Sequence, residues 1–151
     1  RHIESCLPQI LLCLSAEALG IMEVLNRLTV EYSKTRKQFG APIGSFQALQ
    51  HRMVDNFMAF EQSKSMVYRG ICESTSFNKN DIDINQFLKT AHAVKALIAK
   101  NSKQIGDESI QIHGGIGMTD ELNIGHFVKR LMMINVLFGD GDFHRQCFSQ
   151  N

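Results

Sequence analysis

Leu7-Pro-Gln-Ile-Leu-Leu-Cys-Leu-Ser-Ala-Glu-Ala-Leu-Gly-Ile-Met-Glu-Val-Leu-Asn-Arg-Leu28 sets the rhythm of the whole chain. Leu7, Ile10, Leu11, Leu14, Ala18, Ile21, Met22, Leu25 and Leu28 recur at three-and-four spacing, which places them on one face of a helix. Pro8 fits such a helix only in its first turn or at a kink, because it lacks an N–H and crowds the preceding turn. The stripe stops near Lys34, before the turn-rich Gly40-Ala-Pro-Ile-Gly-Ser45.

The same beat returns through Phe46, Leu49, Met53, Phe57, Phe60, Val67 and Ile71, with the Lys64 stem covering one position. This second helix is expected to end before Ser74-Thr-Ser-Phe-Asn-Lys-Asn-Asp81, which reads as an exposed loop. A third helix, from about Ile84 to Gln111, carries Phe87, Ala91, Val94, Ile98 and Ile105, and Gly114 and Gly115 supply its C-terminal stop. Thr119-Asp-Glu121 offers an N-cap for a fourth helix, with Ile124, Val128, Leu131, Ile134 and Phe138 on one face. That helix should end at Gly139-Asp-Gly-Asp142, with a short last helix from Phe143. Sustained alternation at period two is absent. The pattern predicts an all-α antiparallel four-helix bundle with a short extra C-terminal helix, one domain over residues 1–151.

Composition narrows the function classes. The chain has 151 residues, 44% of them apolar, and a formal charge of +1, so it presents no basic field for nucleic acid and too much apolar content for a disordered tail. No run approaches the roughly 18 consecutive apolar residues of a membrane helix. Cys6, Cys13, Cys72 and Cys147 contain no C-x-x-C pair and read as reduced thiols of a cytoplasmic protein. Arg1 leads almost directly into the first helix, as in a C-terminal fragment of a longer protein.

Motifs for chemistry are sparse. The six histidines complete no metal motif: His51 and Asp55 read as a surface pair, and His113 and His126 as loop and surface residues. His144 and Cys147, three residues apart near the chain end, read as a poor catalytic pair. Two loops stand out. Tyr32-Ser-Lys-Thr-Arg-Lys-Gln-Phe-Gly40 places Arg36 and Lys37 beside a turn, where a guanidinium can grip a phosphate or simply complete the helix dipole. Gln111-Ile-His-Gly-Gly-Ile-Gly-Met-Thr119 has three glycines in four positions, which permits close approach of a backbone or a flat ligand.

Taken together, Leu19-Gly20, Arg36-Lys-Gln-Phe-Gly40, Phe46-Gln47, Gln111-x-His-Gly-Gly-x-Gly117 and Thr119-x-Glu121 resemble the C-terminal helical domain of the acyl-CoA dehydrogenase family. Leu137-Phe-Gly-Asp-Gly-Asp-Phe-His144 looks closest to its small-subunit, pimeloyl-CoA-dehydrogenase-like branch. The resemblance implies FAD shared with a middle domain and with a neighbouring subunit. By it Arg36 would bind the FAD pyrophosphate of that neighbour, Phe39 and Gln47 would assist, and Gln111, Gly114 and Gly115 would form a backbone cradle. It implies α,β-dehydrogenation of an acyl-CoA to a 2-enoyl-CoA, in a homo- or hetero-oligomer built through the helical bundle.

The family's catalytic Glu falls at Phe138, and the alternative position on the first helix falls at Ile10, so neither usual base is present. Asp140 is the nearest carboxylate and the candidate base within the chain. The expected function is a flavin-contacting subunit whose base comes from a paired subunit. The alternatives are an active enzyme using Asp140, a base-independent hydroxylase, and a helical interaction module. No metal is implied.

Overall fold

The computed structural model describes residues 2–79, 81–119 and 122–150. Its elements are α1 (His2–Thr35), β1 (Lys37–Gln38), β2 (Ala41–Pro42), a 3-10 turn (Ile43–Ser45), α2 (Gln47–Asn78), α3 (Ile84–His113), a second 3-10 turn (Gly114–Met118), α4 (Ile124–Val136) and α5 (Gly141–Gln150). The four longest helices pack as the expected all-α bundle. The only sheet among the described residues is a two-residue antiparallel hairpin, with Lys37 opposite Pro42 and Gln38 opposite Ala41.

Side-chain pairs along the bundle fix its register. Tyr32 near the end of α1 stacks on His113 at the end of α3, with ring centroids 4.4 Å apart, so these two helices finish together. Phe77 late in α2 stacks on Phe87 early in α3 at 5.3 Å. Arg130 of α4 makes a two-pronged bond to Glu17 of α1, at 2.6 and 2.9 Å. α3 runs through the centre, and Phe87, Ala91, Val94, Ile98 and Ile105 are all fully buried along it. Asp83 caps its first turn by accepting from the Gln86 amide at 2.8 Å. Within α1 the span Cys6–Thr35 is apolar and long enough to cross a membrane by length and composition. In the bundle it buries Leu11, Ala18, Met22 and Leu25 instead.

Several expectations need correction. α2 does not stop before Ser74 but runs to Asn78, because the Phe77–Phe87 stack holds its last turn and Thr75 bonds back to the Ile71 carbonyl. Its buried stripe is also rotated. Asn56, Ala59, Phe60, Ser63, Val67 and Gly70 face inward, whereas Phe57 and Ile71 are about half exposed. The neighbouring helix lies too close for large side chains there: a Cβ at Gly70 would sit 2.4 Å from Leu12. α4 begins only at Ile124 after Asn123, which makes no side-chain cap, and Thr119 Oγ1 instead bonds the Ile116 carbonyl at 2.8 Å. Asp120 and Glu121, also expected in that cap, lie outside the described residues. α4 ends at Val136, and Phe138 lies beyond it in a left-handed turn, off the buried face. Pro8 lies in the second turn of α1. Cys6, Cys13, Cys72 and Cys147 form no disulfide.

Candidate functional site

The sequence-derived site residues fall at the two ends of the bundle. At one end α1 runs out into the hairpin carrying Arg36, and α2 starts at Gln47. The Tyr32–His113 stack brings the end of α3, and with it Gln111, Gly114 and Gly115, to the same end. Arg36 is exposed, and among the described residues no carboxylate pairs with it. Its backbone is fixed from both sides, the amide donating to the Tyr32 carbonyl at 2.9 Å and the carbonyl accepting from Ile43 at 2.8 Å.

The tip of the hairpin is unusual. Phe39 has φ +54° and Gly40 φ +80°, the two left-handed residues of a tight hairpin turn. For a non-glycine residue this conformation costs about 1–2 kcal/mol. Phe39 is nevertheless 94% exposed, with an edge contact to Phe46 at 6.2 Å. Fold stability explains neither the strain nor the bare ring.

The glycine-rich turn at the same end of the bundle is preorganised. Gly114 sits at φ +66° and ψ −146°, a region open essentially to glycine alone. A Cβ at Gly114 or Gly115 would meet nothing within 4 Å, so both present bare backbone to open space. Gly117 serves a different purpose, since a Cβ there would lie 2.9 Å from His113 Cβ. His113 is buried rather than a loop residue, and its Nδ1 donates to the Ser109 carbonyl at 2.7 Å. Gln47 and Gln111 are exposed, and no acid occupies the first turn of α2, whose free amides favour an anion. A dinucleotide pyrophosphate fits this set: one guanidinium without a carboxylate partner among the described residues, open backbone with no Cβ, and an aromatic ring held outward.

The other end holds Ile10, Phe138 and Asp140. His92 on α3 and His113 are 21 residues apart, or roughly 30 Å along the helix. Phe138 has φ +59° and is 53% exposed. Asp140 is exposed and caps α5, its Oδ1 accepting from the Phe143 amide at 2.8 Å. Ile10 is half-buried in α1.

Sequence reading missed the buried polar cluster beneath these residues. His92 Nδ1 and His144 Nδ1 are 2.7 Å apart, and Lys95 Nζ donates to the Ile134 carbonyl at 2.6 Å. All three side chains are buried. Burial pushes the Lys95 ammonium down to about 8, only partly opposed by Asp140. Burial, then the neighbouring His92 and Lys95, pushes His144 down to about 4, and burial also lowers His92. His144 Nε2 lies near the Phe138 and Gly139 backbone but outside hydrogen-bond geometry. The available signal was positional, since His92 and Lys95 each follow directly on Ala91 and Val94 of the buried stripe. No group of three or more His, Cys, Asp or Glu side chains that could hold a metal assembles among the described residues.

Comparison with known proteins gives consistent matches. A protein-family model described as "Acyl-CoA dehydrogenase, C-terminal domain" matches residues 3–151. Acyl-CoA dehydrogenase IpdE2 of Mycolicibacterium smegmatis is 40% identical over 119 residues, 79% of this chain and 34% of that protein. L-prolyl-[peptidyl-carrier protein] dehydrogenase of a Serratia species is 30% identical over 138 residues, 91% of this chain and 34% of that protein. A solved structure of PigA with FAD and proline superposes with a TM-score of 0.83 at 28% identity, over 95% of this chain and 36% of that one. The chain thus spans about a third of the length of the curated relatives it matches.

Proposed function

The chain belongs to the acyl-CoA dehydrogenase family as a C-terminal domain, and from that premise we propose that it is the FAD-contacting and oligomerising part of an enzyme-family subunit whose catalytic base comes from a paired subunit. The observation that carries this reading is Phe39, strained at φ +54° and 94% exposed, at the same end of the bundle as the open Gly114–Gly115 backbone and as Arg36, which no carboxylate pairs among the described residues. Arg36 would grip the pyrophosphate with Gln47 beside it, Phe39 would pack on the bound group, and Gln111, Gly114 and Gly115 would lay backbone against it. When bound, FAD supplies the hydride acceptor for α,β-dehydrogenation of an acyl-CoA to a 2-enoyl-CoA. The rough 30 Å between the two ends of the bundle supports assigning Arg36 to a neighbour's cofactor rather than to the one beside Phe138.

This chain's residues do not move the α-proton. Phe138 and Ile10 have no proton-accepting atom, and Asp140 has one oxygen committed to the α5 cap. A relocation of the base by two residues also changes its reach, where misplacement by about 1 Å already costs roughly 10²-fold. Assembly is supported by α2, which turns Val54, Phe57, Met58 and Tyr68 outward on the face opposite its buried stripe.

The test is turnover of a saturated acyl-CoA by the full-length protein, alone and with its candidate partner subunit. Alone it should be slower by about 10²–10⁴-fold, the usual contribution of a general base. Asp140→Asn separates the alternatives cleanly, because Asn caps a helix as well as Asp. Full turnover alone that Asp140→Asn abolishes would make Asp140 the base and overturn the paired-subunit reading.

A further inference from the structure

Neither cofactor binding nor an apolar core requires the three titratable side chains buried under the Phe138–Gly139 turn. His92 and Lys95 stand one helical turn apart on α3 with 4% and 0% exposure, and His144 comes from α5 with 0%. The 2.7 Å contact between the two Nδ1 atoms requires one of them to donate and the other to accept. Lys95 takes the Ile134 carbonyl, which the end of α4 leaves without a helical partner. Asp140 takes the Phe143 amide at the start of α5. Between these two tethered helix ends the chain turns through Phe138 at φ +59° and Gly139 at φ +109°. Gly139 packs so tightly that a Cβ would sit 2.4 Å from the Phe143 ring and 3.2 Å from His144 Nε2.

We propose that the His92–His144 pair is a proton-operated clamp that docks α5 and fixes the Phe138–Gly139 turn when neutral, and releases both when protonated. A further proton adds a buried positive charge beside Lys95, and a second one removes the only acceptor in the Nδ1 contact. The Phe138 and Gly139 backbone beside His144 and the carboxylate of Asp140 offset that charge only in part. On α3 the facing groups are Lys95 and, further along, Lys89, which lies over the Phe148 ring. α4 contributes only the Ile134 carbonyl. From the α5 side come Asp140, already used as a cap, and the exposed Asp142–Arg145 pair. His144 is held down to about 4, against about 6.5 when released, so the released state binds more protons between those values. Docking is therefore complete above about pH 6.5 and weakens as pH falls, by about tenfold for each pH unit per proton taken up. The catalytic significance of the turn rests on the proposed function above, which gives position 138 to the carboxylate of relatives; the clamp itself does not.

The test is amide hydrogen exchange of this chain at pH 7.5 and pH 5.0, corrected for intrinsic rates, with imidazole nitrogen NMR on the same samples. Protection over residues 141–150 should drop about tenfold or more at pH 5.0 while the centre of α3 stays protected. The Nδ1–H resonance should disappear over the same range. His144→Gln, which keeps a polar group without a titration, should flatten the pH dependence, and Asp140→Asn should leave it in place. Constant protection of α5 in the unmodified chain would overturn the clamp, as would an undiminished acid response in His144→Gln. No flavin enters either measurement, so failure of the clamp and failure of the flavoprotein reading are told apart.

Discussion

The two ends of this bundle differ in what they leave open. At the hairpin end Phe39 is strained and bare, Arg36 has no carboxylate partner among the described residues, and Gly114 and Gly115 expose backbone without side chains. At the α4–α5 end the polar groups are nearly all used internally. Lys95 satisfies the end of α4, Asp140 the start of α5, and His92 and His144 each other. Residue types that suggest chemistry (His, Lys, Asp) crowd the end where structure consumes them. The end suited to a ligand is built mostly from glycine, glutamine and one arginine. Unsatisfied geometry, not the chemical reactivity of its residue types, sets the hairpin end apart.

That contrast can be sharpened by substitution. The largest effect is expected at the closed end, where Phe138→Glu in the full-length protein supplies the carboxylate that the proposed function finds lacking at that position. Position 138 already accepts a non-glycine residue at φ +59° and is half exposed, so the variant should fold and recover part of the roughly 10²–10⁴-fold base contribution in turnover without a partner. Next, Gly117→Ala should destabilise the chain by about 1–3 kcal/mol in urea unfolding, through the clash with His113. Gly115→Ala should stay within about 0.5 kcal/mol, because its Cβ meets nothing.

Lys95 offers a pH test of the closed end. Its folded value is pushed down to about 8 from an ordinary value near 10.5, so the unfolded chain holds the extra proton between them and stability rises with pH across that window. Thermal unfolding should show a gain of about 1 kcal/mol from pH 8 to 9, and Lys95→Met should remove that gain. Equal gains in both chains would mean that the lysine is hydrated. At the open end a substitution should instead stabilise. Phe39→Asn relieves the left-handed strain and should raise stability by up to about 1 kcal/mol, a Tm increase of about 2–4 °C. A gain in stability from removing a large aromatic residue would mark Phe39 as kept for binding.

The fold was legible wherever large apolar residues fill every beat of a helix, as in Leu11, Ala18, Met22 and Leu25 of α1 and Phe87 to Ile105 of α3. α2 misled because close packing selects Asn56, Ser63 and Gly70 for its inner face and sends Phe57 and Ile71 outward. Hydrophobicity there finds Phe60 and Val67 but misplaces Phe57 and Ile71. The end of α4 misled for a different reason. Phe138 continues the apolar beat, but the left-handed turn at Phe138 and Gly139 takes it out of the helix. Of the candidate site, the motif order around Arg36 and Gly114 stands in the sequence, and its proposed role comes from the family resemblance. The strain at Phe39 and the burial of His144 depend on tertiary contacts that no local pattern encodes, while His92 and Lys95 had only their places next to Ala91 and Val94 to mark them.

The central claim is that the hairpin end exists to hold a cofactor rather than to stabilise the bundle. Arg36→Ala separates the two most directly, with flavin absorbance and thermal unfolding measured on the same full-length preparation. Flavin affinity should fall by about 2–5 kcal/mol, as expected when one partner of a desolvated charge pair is removed. The unfolding midpoint of the helical domain should hardly move, since exposed loop charges contribute about 0–1 kcal/mol. Full flavin occupancy in the variant would contradict the claim and return Arg36 to a solvated helix end.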